Sequence, residues 1–319
     1  MKDSSLSRPE LLVMRELMPA QMEQLEREFT LHRLDQTDDP AAMLAAVGAR
    51  VRGVVTTGGF GFKQNLLSAL PRVEIVASSG VGTDSIDVAA CLDSGVHVTN
   101  TPDVLNDDVA DLGMGLILNA LRRLGDGHAY TRAGNWSRLG MMPLTTSLAG
   151  KRLGIVGLGR IGHELANRAR AFKMQIAYTG RRKQDVPYVF HERLTDLAAN
   201  VDVLALTCPG GPETRHLINA SVLEALGPKA WIINLARGSV IDENALIESL
   251  QQRRIAGAAL DVFENEPNID PRFLELENVI LYPHHASGTT ETRHAMSQLV
   301  VDNLLAHFQG RPLLTPVTI

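Results

Sequence analysis

"GIVGLGRIG", residues 154–162, decides the fold. An apolar, strand-like run ends in three glycines, Gly157, Gly159 and Gly162, and "HELANRARAF" continues it with helical spacing of its apolar residues. Gly157 permits a tight turn, Gly159 lets the backbone approach a pyrophosphate, and Gly162 allows a helix to pack closely on a strand. The helix N-terminus attracts the phosphates. With Leu158, Arg160 and Ile161 between them, these residues form a candidate dinucleotide cradle. A glycine-rich turn serving packing alone is the plain alternative. The preceding strand, the following helix and a second strand, "QIAYTG" (175–180), favour the cradle.

The next landmark departs from the expected pattern. An acidic side chain, expected roughly 20 residues beyond the glycines, would hold the ribose hydroxyls of NAD. Thr179, Gly180, Arg181 and Arg182 stand there instead. An aspartate would repel a 2′-phosphate, whereas a guanidinium offers planar paired donors to a phosphate dianion. Gly180 removes side-chain bulk beside them. "TGRR" (179–182) therefore reads as an NADP site, with Arg181 as phosphate ligand and Arg182 next to it. The alternative is that both arginines are solvated loop charges.

Working outward, strands alternate with helices on both sides of the glycine loop. "RLGIVG", "QIAYTG", "VDVLALT", "WIINLA", "GAALDV" and "VILYP" are buried-strand patterns in the second half. They end beside Gly157, Arg181, Cys208 with Pro209, Arg237, Asp261 and His284. In a doubly wound sheet these are the carboxyl ends of parallel strands, where ligands bind. In the first hundred residues "ELLVM", "GVVTT", "VEIVASSG" and "VHVTN" read the same way, with a helix from about Pro19 to Phe29. The fold class is α/β with two doubly wound domains, one of Rossmann type. A new pattern opens at Thr101-Pro102, where a long helical stretch (108–134) leads to Trp136 and the loop "MMPLTT" (141–146). The last helix, about Thr290 to Phe308 and capped by Gly310, is expected to pack back on the first domain. Residues 1–100 with 287–319 make one domain and 101–286 the nucleotide-binding one.

Composition bounds the function. The 319 residues are 45% hydrophobic and 21% charged, with a net charge of −5. That is the balance of a well-cored globular protein with no general attraction to nucleic acid or anionic membranes. The polar start "MKDSSLSRPE" lacks the apolar core of a signal peptide, and no apolar run is long enough to cross a bilayer. The two cysteines, Cys91 and Cys208, form no CxxC or Cys/His pattern. A reduced, cytoplasmic enzyme is the expectation.

Arg237 in "NLARGSVIDENAL" (234–246), Glu266 in "GAALDVFENEP" (257–267) and His284 in "LYPHHASGTT" (281–290) follow the cradle with wide spacing. With "SSGVGTDSID" (78–87), "GLGRIG" and "TCPGGPETRHLIN" (207–219), they occur in the order found in one family. The chain resembles the D-isomer-specific 2-hydroxyacid dehydrogenases over nearly its whole length. "YTGRR" and "GNWSRLGMMPLTT" (134–146) are most similar to the glyoxylate/hydroxypyruvate reductase and hydroxyphenylpyruvate reductase branch. The resemblance implies a flavodoxin-like substrate domain beside the Rossmann domain, with the active site in the cleft between them. It also implies a homodimer joined by a segment around 120–148.

The chemistry suits the residues. Reducing a 2-keto acid needs a hydride donor, a proton donor at the developing alkoxide and a cation for the carboxylate. A carboxylate beside a histidine favours its charged form, so His284 paired with Glu266 can act as general acid near neutral pH. Arg237 can hold the substrate through paired donors. The family assigns the same roles to these positions. Either histidine of "PHHAS" could be the acid; the family places its own directly after the proline, at His284, and His285 then lines the cleft. A zinc site is weighed against this, but adjacent histidines diverge and no third ligand has suitable spacing, so no metal is expected.

The remaining assignments rest more on resemblance. Gly80 and Gly82 can turn backbone N–H groups toward an anion, and the family has Val81 and Gly82 donate amides to the substrate carboxylate. Asp261 resembles its nicotinamide contact. Thr207, Cys208, Pro209 and Thr214 match the adenosine-side loop, while Val81, Leu235, Ala236, Arg237, His284 and Ala286 join the cofactor contacts. Cys208 has no neighbouring base to make it a nucleophile. Trp136 is a candidate to approach the partner subunit's substrate site. The implied activity is NADPH-dependent reduction of glyoxylate or hydroxypyruvate to a D-2-hydroxy acid. The alternatives are a bulkier substrate such as hydroxyphenylpyruvate, and a dinucleotide-sensing corepressor-like protein.

Overall fold

A computed structural model describes residues 8–318 of the chain. Its contacts divide into two compact units, one running to Leu105 and resuming at Gly288, the other Asn106–Ser287. In the first unit the strands are β1 (Glu10–Val13), β2 (Thr30–Arg33), β3 (Val51–Thr57), β4 (Ile75–Ser79) and β5 (His97–Thr99). They form one parallel sheet in the order β2-β1-β3-β4-β5, the flavodoxin-like winding.

Successive side chains on these strands point to opposite faces, so each strand feeds two cores. Leu12, Val54 and Val76 pack with Phe62, Leu70 and Cys91 on one face. Leu11, Val13, Val55 and Ile75 pack on the other with Val300, Val301 and Leu304. The latter three lie on the helix Thr290–Phe308, so the end of the chain returns to complete the first unit. Thr289 starts that helix by accepting the Thr292 N–H, and Gly310, with φ of +67°, follows its end.

The second unit holds β6 (Arg152–Val156), β7 (Gln175–Thr179), β8 (Val189–Phe190), β9 (Val203–Leu206), β10 (Trp231–Asn234), β11 (Gly257–Leu260) and β12 (Val279–Leu281). All pairings are parallel, in the order β12-β11-β10-β9-β6-β7-β8. The winding reverses between β6 and β9, and the carboxyl ends beside that reversal are where a Rossmann sheet takes its ligand. Arg168 on the helix Arg160–Ala171 ties it to the helix Asn106–Arg122, bonding Asp107 at 2.8 Å and also Asp111.

The helical stretch expected over 108–134 is corrected by the structure. It breaks at Arg123, whose φ of +50° is left-handed, into Asn106–Arg122 and Leu124–Arg132. The Leu121 carbonyl, left without a helical partner, accepts the Thr146 N–H at 3.0 Å from the returning loop. The first piece carries a buried face; the second buries no residue. Among the described residues no helix is long and apolar enough to cross a membrane.

Candidate active site

The chain turns after β6 at Gly157, whose φ of +92° favours glycine. A Cβ there would fall 2.7 Å from the Cα of Cys208, so the turn has no room for a side chain. At Gly159, by contrast, no atom lies within 4 Å of where a Cβ would stand, and the backbone is open to approach. The helix Arg160–Ala171 begins next, and no side chain among the described residues caps its N-terminus. Uncapped N–H groups beside an open glycine backbone fit a dinucleotide pyrophosphate. Leu158 is buried under the loop, and Thr207 donates to the Gly157 carbonyl at 2.7 Å.

Beyond β7, buried Thr179 accepts the Gly157 N–H at 2.9 Å and so fixes the strand end to the loop. Gly180, Arg181 and Arg182 follow at the surface, with Lys183. No carboxylate among the described residues pairs with these three cations. Across the loop, Cys208 is buried and its thiol is pushed up to about 11 by burial, which leaves it inert. Thr214 donates to the Pro209 carbonyl at 2.8 Å and closes that loop on itself.

Arg237 owes its place to Asn234, a buried amide at the end of β10. Asn234 donates to the Arg237 carbonyl at 3.0 Å and accepts the Ala236 N–H at 3.0 Å, clasping the turn. Leu235 and Ala236 are buried, while Arg237 is half-buried and donates to the Ala236 carbonyl at 2.7 Å. Gly238 then packs on the backbone of Phe263 and Glu264, joining this turn to the loop that carries Glu266.

Asp261 organises the histidine loop. It is 1% exposed and accepts the N–H groups of His285 at 2.8 Å and Ala286 at 3.2 Å. Burial nevertheless holds its carboxyl above the ordinary value. The Asp261 carbonyl accepts the His284 N–H at 2.7 Å, and His284 is held at φ of +49°. For a residue with a Cβ that conformation costs about 1–3 kcal/mol, and surrounding bonds must enforce it.

The result is a bond of 2.5 Å between His284 Nδ1 and Glu266 Oε2. The other Glu266 oxygen accepts the Phe263 N–H at 2.8 Å. Burial alone would raise the Glu266 carboxyl, but the His284 and Phe263 bonds, with the charges of His284 and Arg237, bring it below its ordinary value. An ionised carboxylate only accepts, so Nδ1 is the donor and Nε2 is left for other partners. Of the two histidines, His284 bonds Glu266, whereas exposed His285 sets its ring 6.4 Å from that of Tyr282. A cavity of about 270 Å³ adjoins the pair, walled by Phe263, Pro267, Ile269, Leu281 and Tyr282.

In the first unit, Gly80 donates to Thr101 Oγ1 at 2.9 Å, and Asn100 donates to the Val81 carbonyl at 2.9 Å. Among the described residues no acceptor takes the N–H of Val81 or Gly82, so two adjacent donors stay available. Trp136 is 65% exposed on the short helix Asn135–Leu139 and stacks on no ring among the described residues. Met141 and Leu144 beside it are 83% and 93% exposed. Sequence reasoning passed over Asn234, Asn100 and Gln184. Asn234 had a signal, since it ends a buried apolar strand with an amide.

Known proteins resemble this chain in sequence and fold. Residues 114–286 match the family model of the D-isomer specific 2-hydroxyacid dehydrogenase, NAD binding domain. The chain is 48% identical to a hydroxyphenylpyruvate reductase of Plectranthus scutellarioides over 296 residues, covering 92% of this chain and 94% of the relative. It is also 48% identical to a glyoxylate/hydroxypyruvate reductase A of Arabidopsis thaliana, with the same coverage. The solved structure of an NADPH-dependent glyoxylate/hydroxypyruvate reductase from Sinorhizobium meliloti, in complex with NADP and malonate, superposes with a TM-score of 0.92. It is 45% identical and covers 98% of this chain and 97% of its own. The chain belongs to the D-isomer specific 2-hydroxyacid dehydrogenase family.

Proposed function

We propose that this chain reduces small 2-keto acids, glyoxylate and hydroxypyruvate foremost, to D-2-hydroxy acids with NADPH. The His284–Glu266 bond carries the reading. Glu266 holds the imidazole by Nδ1, which leaves Nε2 to deliver the proton to the developing alkoxide. Arg237 pairs with the carboxylate or keto oxygen of the substrate. The Val81 and Gly82 amides add donors for the carboxylate. Gly157 to Gly162 hold the pyrophosphate, Arg181 the 2′-phosphate with Arg182 beside it, and Asp261 the nicotinamide end. Thr207, Cys208, Pro209 and Thr214 take the adenosine side, and Leu235, Ala236 and Ala286 line the rest. The reduced nicotinamide supplies the hydride when bound.

NADPH dependence is further supported by the Sinorhizobium meliloti relative, which is named for it. Initial rates of NADPH and NADH oxidation with both keto acids test the proposal; turnover confined to NADH contradicts its cofactor half. A second reading, a bulkier substrate such as hydroxyphenylpyruvate, is favoured by the apolar cavity beside His284. Absence of turnover with that acid in the same assay removes it.

The first unit serves as the substrate domain and the second as the NADP domain in this reading. The exposed apolar run of Trp136, Leu139, Met141 and Leu144 supports a homodimer arm around 120–148, with Trp136 toward the partner's substrate. A monomeric mass by light scattering contradicts that arm. Two unpaired, buried cysteines suit a reducing compartment such as the cytoplasm, which cell fractionation checks.

A further inference from the structure

Between β7 and β8 the chain makes an irregular excursion that begins with Gly180, Arg181, Arg182 and Lys183. Three adjacent cations at the surface repel one another, and a short exposed loop of this kind has little to hold it still. Both of its ends, however, are tied to the same object. At the near end the Thr179 carbonyl accepts the Gly157 N–H at 2.9 Å. At the far end Gln184 donates through Nε2 to the Leu158 carbonyl at 2.7 Å. Four residues are thus suspended between two anchors on the phosphate loop.

Gln184 makes further bonds that fix its own position. Its N–H donates to the Tyr178 hydroxyl at 2.7 Å, and that hydroxyl lies 3.3 Å from its carbonyl. Tyr178 is fully buried, so the hydroxyl is a rigid post. The side-chain oxygen meets His163 Nε2 at 3.1 Å, on the first turn of the helix that starts at the phosphate loop. Because the Gln184 nitrogen is committed to Leu158, its oxygen is the acceptor, and His163 carries its proton on Nε2. One half-buried amide therefore joins the cationic turn, the glycine loop and the helix N-terminus.

We propose that Gln184 is a positioning residue for the 2′-phosphate clamp, and so a determinant of NADP over NAD. This rests on the NADP reading of Arg181. The strut holds the turn at a set distance from the phosphate loop before ligand arrives, so less freedom is lost on binding. A ligand without the 2′-phosphate does not use the turn and gains nothing from the strut. No charge on Gln184 itself touches the ligand, which separates its role from that of the arginines.

The test uses the full-length protein and two fragments, adenosine 2′,5′-bisphosphate and 5′-AMP, titrated by calorimetry. Gln184→Met keeps the length of the side chain and loses its hydrogen bonds. The bisphosphate should bind about tenfold more weakly to this variant, with 5′-AMP within about twofold of wild type. The NADPH KM should rise in parallel while kcat holds. Equal weakening of both fragments, or no change in either, overturns the proposal. Arg181→Ala separates the two claims. If it leaves bisphosphate binding intact, the NADP reading has failed. If it weakens that binding and Gln184→Met does not, the strut alone has failed. Gln184→Ala, which brings no new bulk, repeats the measurement should the methionine variant not fold.

Discussion

A Cβ placed on Gly238 would fall 1.9 Å from the carbonyl carbon of Phe263. No side chain fits that gap, and backbone rather than a flexible side chain bounds it. The turn bearing Arg237 and the loop bearing Glu266 are therefore in direct backbone contact, and one cannot move without the other. Gly238→Ala should separate them, costing about 1–3 kcal/mol of stability as an overpacked site does. A displacement of about 1 Å in a catalytic group lowers turnover roughly 10²-fold. Thermal melting and kcat on the same preparation check both effects, and a variant with wild-type turnover refutes the coupling.

Arg181→Ala should raise the NADPH KM by about 10- to 100-fold, the worth of a charge-assisted bond, and leave NADH kinetics nearly unchanged. Its wild-type guanidinium is exposed and pairs with no carboxylate among the described residues, so little else is disturbed. Equal losses with both cofactors would remove the phosphate assignment.

The Glu266 carboxyl sits below its usual value of 4.5 in the folded protein. A carboxyl lowered by folding contributes stability in its ionised form, fully present above the unfolded value and lost as pH falls through the folded one. The melting-temperature gap between wild type and Glu266→Gln should be steady near neutral pH and shrink below about 4.5. The same substitution weakens the acceptor that holds His284 Nδ1, so kcat should fall with it. An unchanged kcat would detach Glu266 from the proton donor.

Much of the fold was legible because buried parallel strands are continuous apolar runs, which "GIVG", "VLAL" and "WIIN" display plainly. The helix Thr290–Phe308 was equally plain, with its threonine cap and its closing Gly310. The elements that escaped are those whose cause is tertiary. β2, "TLHR", is a polar edge strand defined by its register with β1 rather than by its own composition. At the break at Arg123 the Gly125 N–H bonds the Asn119 side chain and the Leu121 carbonyl takes the Thr146 N–H from a distant loop, and the second of these contacts has no local signature.

The site divides in the same way. Arg237 and His284 could be named from their place just past strand ends, and Glu266 from the motif that follows the strand Gly257–Leu260. The choice between His284 and His285 could not be made from residue chemistry alone, because it depends on the left-handed φ that Asp261 and Glu266 together impose. Gln184 was invisible for a related reason: a glutamine in a charged loop looks solvated until its three partners are known.

The central claim is that His284 donates the proton, and one paired measurement on His284→Ala tests it most directly. Turnover of glyoxylate and hydroxypyruvate with NADPH is followed beside NADPH binding, for variant and wild type. The expected result is a loss of about 10²- to 10⁴-fold in kcat with the dissociation constant for NADPH unchanged. A variant that binds NADPH and turns over at close to the wild-type rate would contradict the assignment and leave another group as the acid.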